Sequence, residues 1–286
     1  MSSLKKLLPL LILVLIVGLA GCGADDAAPA DDPVDEPAEE PAEEPAGVPG
    51  TVHRFEDTPT ALTELVNGGV DAVVADSPVV LEYMKNNPQA NVRAFGDDRF
   101  DREFYGIAMR QEDTDLHDLV NEGLARVRDN GVYDLIFNKY FGDGADYEVE
   151  ESDNSLGLNY KVAMDMAYAP FEFIGDDGQP AGFDVDLIRA IAAEMGFAVE
   201  LVNTAWDGII PSLLAGSSDM IISAMTITEE RSESVTFSDP YFEASQYVAV
   251  LDDSPIYTLE DLQGKKVGVQ NATTGDFAIT DYFDSL

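Results

Sequence analysis

The chain has 286 residues, of which 55 are acidic and only 16 are basic, so its formal net charge is −39 at pH 7. Nucleic-acid binding requires basic patches, so this balance excludes a nucleic-acid-binding protein. Apolar residues make up 45% of the chain, which is enough for a sizeable core, and a single cysteine excludes an intramolecular disulfide.

Residues 1–22 have the pattern of a signal peptide. Lys5 and Lys6 precede an apolar run over residues 7–17, and LAGC follows at residues 19–22. That tetrapeptide resembles a bacterial lipobox, with Cys22 as the lipid-bearing N-terminus; the alternative is a free thiol behind a plain signal peptide. We therefore expect an extracytoplasmic lipoprotein anchored to the cell membrane, in the periplasm or at the cell surface.

Residues 23–50 form an acidic linker rich in proline and alanine. This segment holds ten of the acidic residues and has no apolar face to bury. Residues 51–286 still contain 45 acidic against 14 basic residues once the ten linker acids and the two signal-peptide lysines are removed. The folded part is thus predicted to begin near residue 51 and to be strongly acidic itself.

Helices and strands alternate through residues 51–142. The apolar spacing predicts helices over 58–67 (with Thr58 as the N-cap), 77–85, 116–128 and 131–140, and strands over 70–75, 93–95 and 105–109. A second acidic linker is predicted over residues 143–159.

The same alternation continues through residues 160–286. Strands are predicted over 160–166, 198–202, 220–223, 247–251 and 266–269, and helices over 183–195, 206–215 and 228–235. Short apolar strands that alternate with helices indicate an α/β fold.

Two groups of motifs in these segments resemble one known family. Residues 160–286 begin with YKVAMDMAYAPFEF and end with GKKVGVQNATTGDFAITDYFDSL, which resembles the N-terminal half of an extracellular solute-binding domain of family 3, the polar amino-acid-binding proteins of ABC importers. Residues 51–142, from TVHRFEDTPTALTELVNGGVDAVVADSP to NGVYDLIFNKYFG, resemble the C-terminal half of the same domain. The chain therefore resembles a circularly permuted member of this family, or a piece of a tandem array that contains all the segments of one domain.

The resemblance implies a two-lobed periplasmic-binding-protein-like fold of type II, with a ligand in the cleft. It places residues 106–140 and 160–250 in one lobe, and residues 51–104 and 254–286 in the other. Two crossing strands, at 105–109 and 247–251, would join the lobes. We expect a monomer.

The resemblance also implies a site for an α-amino acid. In SAMTITEER (223–231), Arg231 would pair with the ligand carboxylate, Thr226 would add a hydroxyl and an amide, and the Ala224 carbonyl would accept from the ammonium. In QNATTG (270–275), Thr274 would bind the carboxylate at a helix N-terminus. Asp76 would bind the ammonium, although its position after a strand suits a helix N-cap equally well.

Four further residues would surround the ligand side chain. Asp165 lies in an apolar strand, where an unpaired carboxylate is costly, which hints at a function. The resemblance implies that this position reads the ligand side chain, where Asp165 would favour a donor at its end. The rings of Tyr168 and Trp206 would enclose the aliphatic part, and the amide of Gln270 suits an amide ligand. These residues favour glutamine, then lysine, arginine or histidine, with glutamate last because it would face Asp165.

The implied function is a substrate-binding lipoprotein that hands a free amino acid to an ABC permease, without catalysis, cofactor or metal. A dehydratase-like enzyme on the same fold is one alternative; it would need a general acid or base in the cleft. Neither His53 nor His117 matches a cleft position, which leaves Glu172. The other alternative is a non-binding fragment of a tandem binding protein.

Overall fold

The structure, a computed structural model, describes residues 47–144 and 146–286. The predicted signal peptide, Cys22 and residues 23–46 of the acidic linker lie outside the described residues. Within the described ranges, no helix combines the length and the apolar character that a membrane crossing requires.

The described chain contains short strands throughout. In chain order they are β1 (Thr51–Phe55), β2 (Ala72–Asp76), β3 (Val92–Gly96), β4 (Glu103–Tyr105), β5 (Ala108–Arg110), β6 (Asn159–Met164), β7 (Ala167–Tyr168), β8 (Glu172–Ile174), β9 (Pro180–Ala181), β10 (Ala198–Asn203), β11 (Met220–Ile221), β12 (Val235–Phe237), β13 (Phe242–Ala244), β14 (Gln246–Leu251) and β15 (Lys266–Gln270).

Helices separate most of these strands. They are α1 (Thr58–Val66), α2 (Ser77–Asn86), α3 (Thr114–Asp129), α4 (Val132–Phe141), α5 (Phe183–Met195), α6 (Trp206–Leu214), α7 (Glu229–Ser232) and α8 (Thr274–Asp284). The predicted α/β class is observed, and the long predicted helices are present with boundaries shifted by a few residues.

Two five-stranded sheets define two lobes. Lobe A, residues 106–241, contains the sheet ordered β10-β6-β11-β5-β12. Lobe B, residues 51–102 and 246–286, contains the sheet ordered β1-β15-β2-β14-β3. Each lobe buries its own apolar clusters, for example Met164 and Ile188 in lobe A and Val74 and Val267 in lobe B.

Each sheet takes strands from both halves of the sequence. In lobe B, β1 pairs in parallel with β15 along its whole length, from Thr51 opposite Lys266 to Phe55 opposite Gln270. In lobe A, β5 lies between β11 and β12 and is antiparallel to both. Neither half could therefore complete a sheet of this kind without the other.

The lobes are connected by a two-stranded antiparallel ribbon made of β4 and β13, called the crossing ribbon below. The strands predicted to cross, at 105–109 and 247–251, are displaced from it. The segment β14 is a central strand of the lobe B sheet, and β5 is a strand of the lobe A sheet. The chain changes lobe a few residues before the predicted position, because β4 and β13 are too short to show an apolar period.

The starts of α1 and α2 settle two sequence predictions. Asp57, not Thr58, is the N-cap of α1, since its carboxylate accepts from the Thr60 amide at 2.7 Å. Thr58 is buried and donates to Gln270 Oε1 at 3.0 Å. Asp76 precedes α2 but its side chain makes no capping bond, so its carboxylate is used elsewhere.

Candidate functional site

A small cavity is lined by residues of both lobes. Its lining consists of Asp76, Asp165, Tyr168, Trp206, Ser223, Ala224, Thr226, Arg231, Gln270, Thr273 and Thr274. All nine residues expected to surround a ligand are in this set. Ser223 and Thr273 are additional; both belong to the two motifs singled out in the sequence, but neither was assigned a role.

Arg231 is a buried cation at this cavity. Its side chain comes from α7, the residue is only 9% exposed, and one of its Nη atoms donates to the Thr226 carbonyl at 2.8 Å. The guanidinium lies 5.1 Å from the centroid of the Trp206 ring. Among the described residues it forms no ion pair. Burial lowers its pKa, and the nearby carboxylates of Glu103 and Asp76 oppose that effect.

Asp76 contributes a carboxylate from lobe B. The Tyr105 hydroxyl and the Gln246 amide both donate to it, and only 5% of the residue is exposed. Burial, with a further contribution from the charge of Glu103, raises the pKa of Asp76 to about 6. The carboxylate is therefore held by hydrogen bonds but is close to changing its protonation state near neutral pH.

Asp165 follows β6 and contributes a second carboxylate, from lobe A. Its Oδ2 accepts from Gln270 Nε2 at 2.9 Å, and this bond joins the two lobes. Its backbone amide donates to Ser223 Oγ at 3.0 Å. Burial raises the pKa of Asp165, which the hydrogen bond from Gln270 partly offsets.

The two aromatic residues lie on lobe A. Tyr168 is in β7, is 9% exposed and stacks near Phe171 with ring centroids 6.4 Å apart. Trp206 begins α6, and its indole nitrogen donates to the Ala272 carbonyl of lobe B at 3.1 Å. Trp206 thus provides a second direct bond between the lobes.

The backbone of lobe A turns sharply between β11 and α7. Ala224 has φ 44°, a left-handed conformation that is uncommon for alanine. Its amide donates to Asp184 Oδ2 at 2.7 Å, which keeps this turn in place. The next hydroxyl, that of Thr226, donates to Glu103 Oε2 at 2.7 Å.

The lobe B side of the cavity is formed by the end of β15 and the start of α8. The Gln270 amide is fully engaged: Oε1 accepts from Thr58 and Nε2 donates to Asp165. Thr273 caps α8 by accepting from the Asp276 amide at 3.2 Å. The Thr274 hydroxyl donates to Glu103 Oε2 at 2.9 Å.

The sequence interpretation missed two of the buried acids behind the cavity, Glu103 and Asp184, and the amide of Gln246. Glu103 and Gln246, close together at one end of the crossing ribbon, bond to each other and to the lining residues. Glu172 and Asp184 are fully buried below the Ser223–Ala224 turn. The signal that revealed Asp165, an acid within an apolar strand, is absent for Glu103, which follows Asp101 and Arg102 and only precedes the apolar run of residues 104–109.

Glu172 does not line the cavity, although it was the one spare acid that the enzyme alternative had left. It is fully buried, and Ser223 Oγ donates to its Oε1 at 2.6 Å. His53 lies in β1, and His117 bonds to the Phe237 carbonyl. Within the part of the chain that the structure describes, no group of three or more His, Cys, Asp or Glu residues is arranged to hold a metal ion.

Known proteins resemble the second half of the chain. Residues 160–284 match the family model of bacterial extracellular solute-binding proteins, family 3. Over these residues the family resemblance inferred from the sequence is confirmed.

Curated relatives match over a similar length. A probable histidine-binding protein of Neisseria gonorrhoeae is 41% identical over 125 residues, 43% of this chain and 47% of its own length. The ABC transporter arginine-binding protein 1 of Escherichia coli (strain K12) is 42% identical, over 43% of this chain and 50% of its own. The chain spans about half the length of these relatives, each of which is named as a binding protein.

A solved structure matches with lower overall similarity. The arginine-bound form of truncated ArgBP from T. maritima is 42% identical, with a TM-score of 0.39, over 45% of this chain and 61% of that chain.

Proposed function

We propose that this chain is the substrate-binding protein of an ABC importer and binds a polar or basic L-amino acid between its lobes. The observation that carries the proposal is Arg231, a buried cation at the cavity with no ion pair among the described residues. A buried charge is costly unless it is paired, and a guanidinium is suited to a carboxylate. Asp76, on the opposite lobe, provides the matching acceptor for an ammonium group.

The proposed ligand has a cationic side chain. If Arg231 binds the α-carboxylate and Asp76 the ammonium, the carboxylate of Asp165 is left to face the side chain. Glutamine was expected first because the Gln270 amide suits it, but both ends of that amide already bond to Thr58 and Asp165. Arginine, lysine or histidine therefore precedes glutamine, and the relatives named as histidine- and arginine-binding agree with this order.

The order of the two halves is part of the proposal. We infer a circularly permuted solute-binding domain, in which residues 51–142 are its C-terminal half and residues 160–286 its N-terminal half. The parallel pairing of β1 with β15 supports this, as does the close packing at Gly50, where an added β carbon would overlap the ring of Phe283. A lipid anchor at Cys22 and transfer of the amino acid to a membrane permease complete the proposed function.

Calorimetric titration of the full chain with arginine, lysine, histidine, glutamine and glutamate tests the function. We expect one-to-one binding of a basic amino acid. Arg231→Gln removes charge-assisted hydrogen bonds that contribute about 1.5–3 kcal/mol to binding, so it should weaken binding roughly 10- to 150-fold. Arg102→Gln removes the same charge from an arginine whose side chain is 78% exposed, and it should bind as the parent does.

Asp165→Asn tests the assignment of the side-chain subsite. The variant should lose affinity for arginine while its affinity for glutamine changes little, because only the cation depends on the carboxylate charge. A folded parent that binds none of the five amino acids would contradict the proposed function, and equal losses for arginine and glutamine would contradict the subsite.

A further inference from the structure

Glu103 is a buried carboxylate on the crossing ribbon, immediately behind the cavity. The residue is 8% exposed and forms no direct ion pair among the described residues. Its Oε2 accepts from both Thr226 Oγ1, at 2.7 Å, and Thr274 Oγ1, at 2.9 Å. Its Oε1 accepts from Gln246 Nε2 at 2.9 Å. Three uncharged donors thus bind this carboxylate, and the charge of Arg231 lies near enough to interact with it without a direct ion pair.

These donors come from both lobes. Thr226 belongs to lobe A, while Thr274 begins α8 and Gln246 begins β14, both in lobe B. Glu103 itself lies where the chain passes from one lobe to the other. A single side chain at the hinge therefore bonds to both sides of the cleft.

The same bonds determine where the threonine protons point. A hydroxyl has one proton, and both hydroxyls donate it to the same oxygen of Glu103. While these bonds last, neither hydroxyl can donate to a ligand carboxylate in the cavity. The two threonines therefore stabilise the closed arrangement of the lobes by donating to Glu103, and they do not donate to the ligand.

We propose that Glu103 is a positioning residue that latches the two lobes in the closed arrangement, by accepting Thr226 from lobe A and Thr274 and Gln246 from lobe B. Closure slows the escape of a bound ligand, so Glu103 acts on the dissociation rate without touching the ligand. The kinetic part of this inference rests on the proposed amino-acid binding, and the closure itself does not.

Replacing Glu103 with glutamine should weaken the hydrogen bonds that hold the two lobes together. The amide removes the charge and one of the two acceptor oxygens. With its NH₂ group towards Gln246 Nε2, two donors face each other, and with its NH₂ group towards the threonines it can no longer accept from either hydroxyl. Because hydrogen bonds to a buried charge are stronger than those to a neutral amide, their loss should let the lobes open more often. The ligand dissociation rate should then be on the order of tenfold higher, with little change in the association rate.

Distances between the lobes measure closure directly. Spin labels are placed on the full chain at Lys85→Cys in lobe B and Glu200→Cys in lobe A, both exposed positions, with Cys22→Ser to remove the native thiol. Without amino acid, Glu103→Gln should shift the distance distribution between the labels to longer values. Dissociation rates are then measured by stopped flow with arginine.

Glu243→Gln is the matched control. Glu243 lies in β13, on the other strand of the crossing ribbon, and its side chain is 51% exposed and paired with Arg102. This change removes the same charge from the same ribbon, and neither the distances nor the rates should move.

An unchanged distance distribution in a folded Glu103→Gln variant would overturn the latch. If that variant does not fold, Thr274→Val removes one lobe B donor and keeps the carboxylate, and it should open the lobes as well; a closed Thr274→Val protein overturns the proposal equally. Failure of the parent to bind any amino acid counts against the proposed function, while the distances still decide the latch.

Discussion

At the scale of single residues, the pair formed by Glu172 and Asp184 supports the site from below. Both are fully buried, and each has one oxygen without a donor among the described residues: Oε2 of Glu172 and Oδ1 of Asp184. The two side chains lie close enough for each to shift the pKa of the other. Two such carboxyls are stable together when they share a proton.

The charges around this pair explain its titration. Burial raises the pKa of Asp184 to about 7, against bonds from the Ala224 amide and the Tyr241 hydroxyl. Burial, and after it the charge of Asp184, raises the pKa of Glu172 well above its usual value; Asp165 adds to the effect and Ser223 opposes it. Because the folded-state pKa of Asp184 exceeds its ordinary value of 3.8, its stabilising contribution is complete below about pH 4.

That contribution is lost as the pH rises towards and through about 7. Asp184→Asn should therefore flatten the decline in the free energy of unfolding between pH 5 and pH 8, since the amide can donate to Glu172 and does not titrate. Urea denaturation at several pH values measures it. Asp177→Asn, at an exposed turn, should keep the parental slope. Identical slopes in parent and Asp184→Asn would rule out the shared proton.

Asp76 gives a second pH effect, of opposite sign, on binding. The ammonium of an amino acid requires the ionised carboxylate, and the pKa of Asp76 is raised to about 6. Affinity should therefore increase as the pH rises from 5 to 7, by up to roughly tenfold per pH unit below that pKa. Calorimetric titration across this range measures it, and a pH-independent affinity would show that Asp76 does not receive the ammonium.

At the scale of elements, the start of α5 depends on a glycine. Gly182 has φ 131°, and a β carbon there would overlap the Phe171 carbonyl. The amides of Phe183 and Asp184 donate to the Pro170 and Phe171 carbonyls, each at 2.9 Å, so this close approach also places Asp184 under the Ala224 turn. The backbone conformation of Gly182 therefore determines both where α5 begins and where Asp184 lies under the site.

Gly182→Ala should lower the free energy of unfolding by more than about 2 kcal/mol, because both the conformation and the overlap oppose a side chain. Gly178→Ala is the matched control. Gly178 also has positive φ, 78°, but no atom lies within 4 Å of its β carbon position, so that change should cost only about 1 kcal/mol. Equal losses, measured by chemical denaturation, would contradict the close approach.

Sequence patterns identified the long elements and missed several of the short strands. Helices such as α3 and α5 have enough turns to show an apolar stripe, whereas β4, β13 and β12 have three residues each. The N-cap of α1 was misplaced by one residue because Asp57 and Thr58 are both good caps, and only the bond from Thr60 distinguishes them.

At the scale of the whole molecule, each sheet requires strands from both halves. The pairing of β1 with β15, and the position of β5 between β11 and β12, hold residues 51–142 against residues 160–286. The order of the halves along the chain therefore matters less than their presence in one compact unit, residues 46–286.

A chain in which residues 160–286 precede residues 51–142, with residues 1–50 kept in front, should fold and bind the same amino acid with similar affinity. Affinity by calorimetry and size by light scattering at low and high concentration measure this, with the parent as control. A parent that is a concentration-dependent dimer would indicate pairing of the halves between chains and would contradict the proposed monomeric permutant.

The sequence by itself determined the class of elements, the acidity and the candidate residues, because apolar periods and motif chemistry are local properties. All nine candidate site residues line one cavity, although they are spread from Asp76 to Thr274. Only the tertiary structure decided that Asp76 is not a cap, that Gln270 is already engaged, and that Glu103 joins the lobes. Those facts depend on hydrogen bonds between residues far apart in the chain, such as Glu103 and Thr274, and no local pattern encodes which distant partner a buried polar group finds.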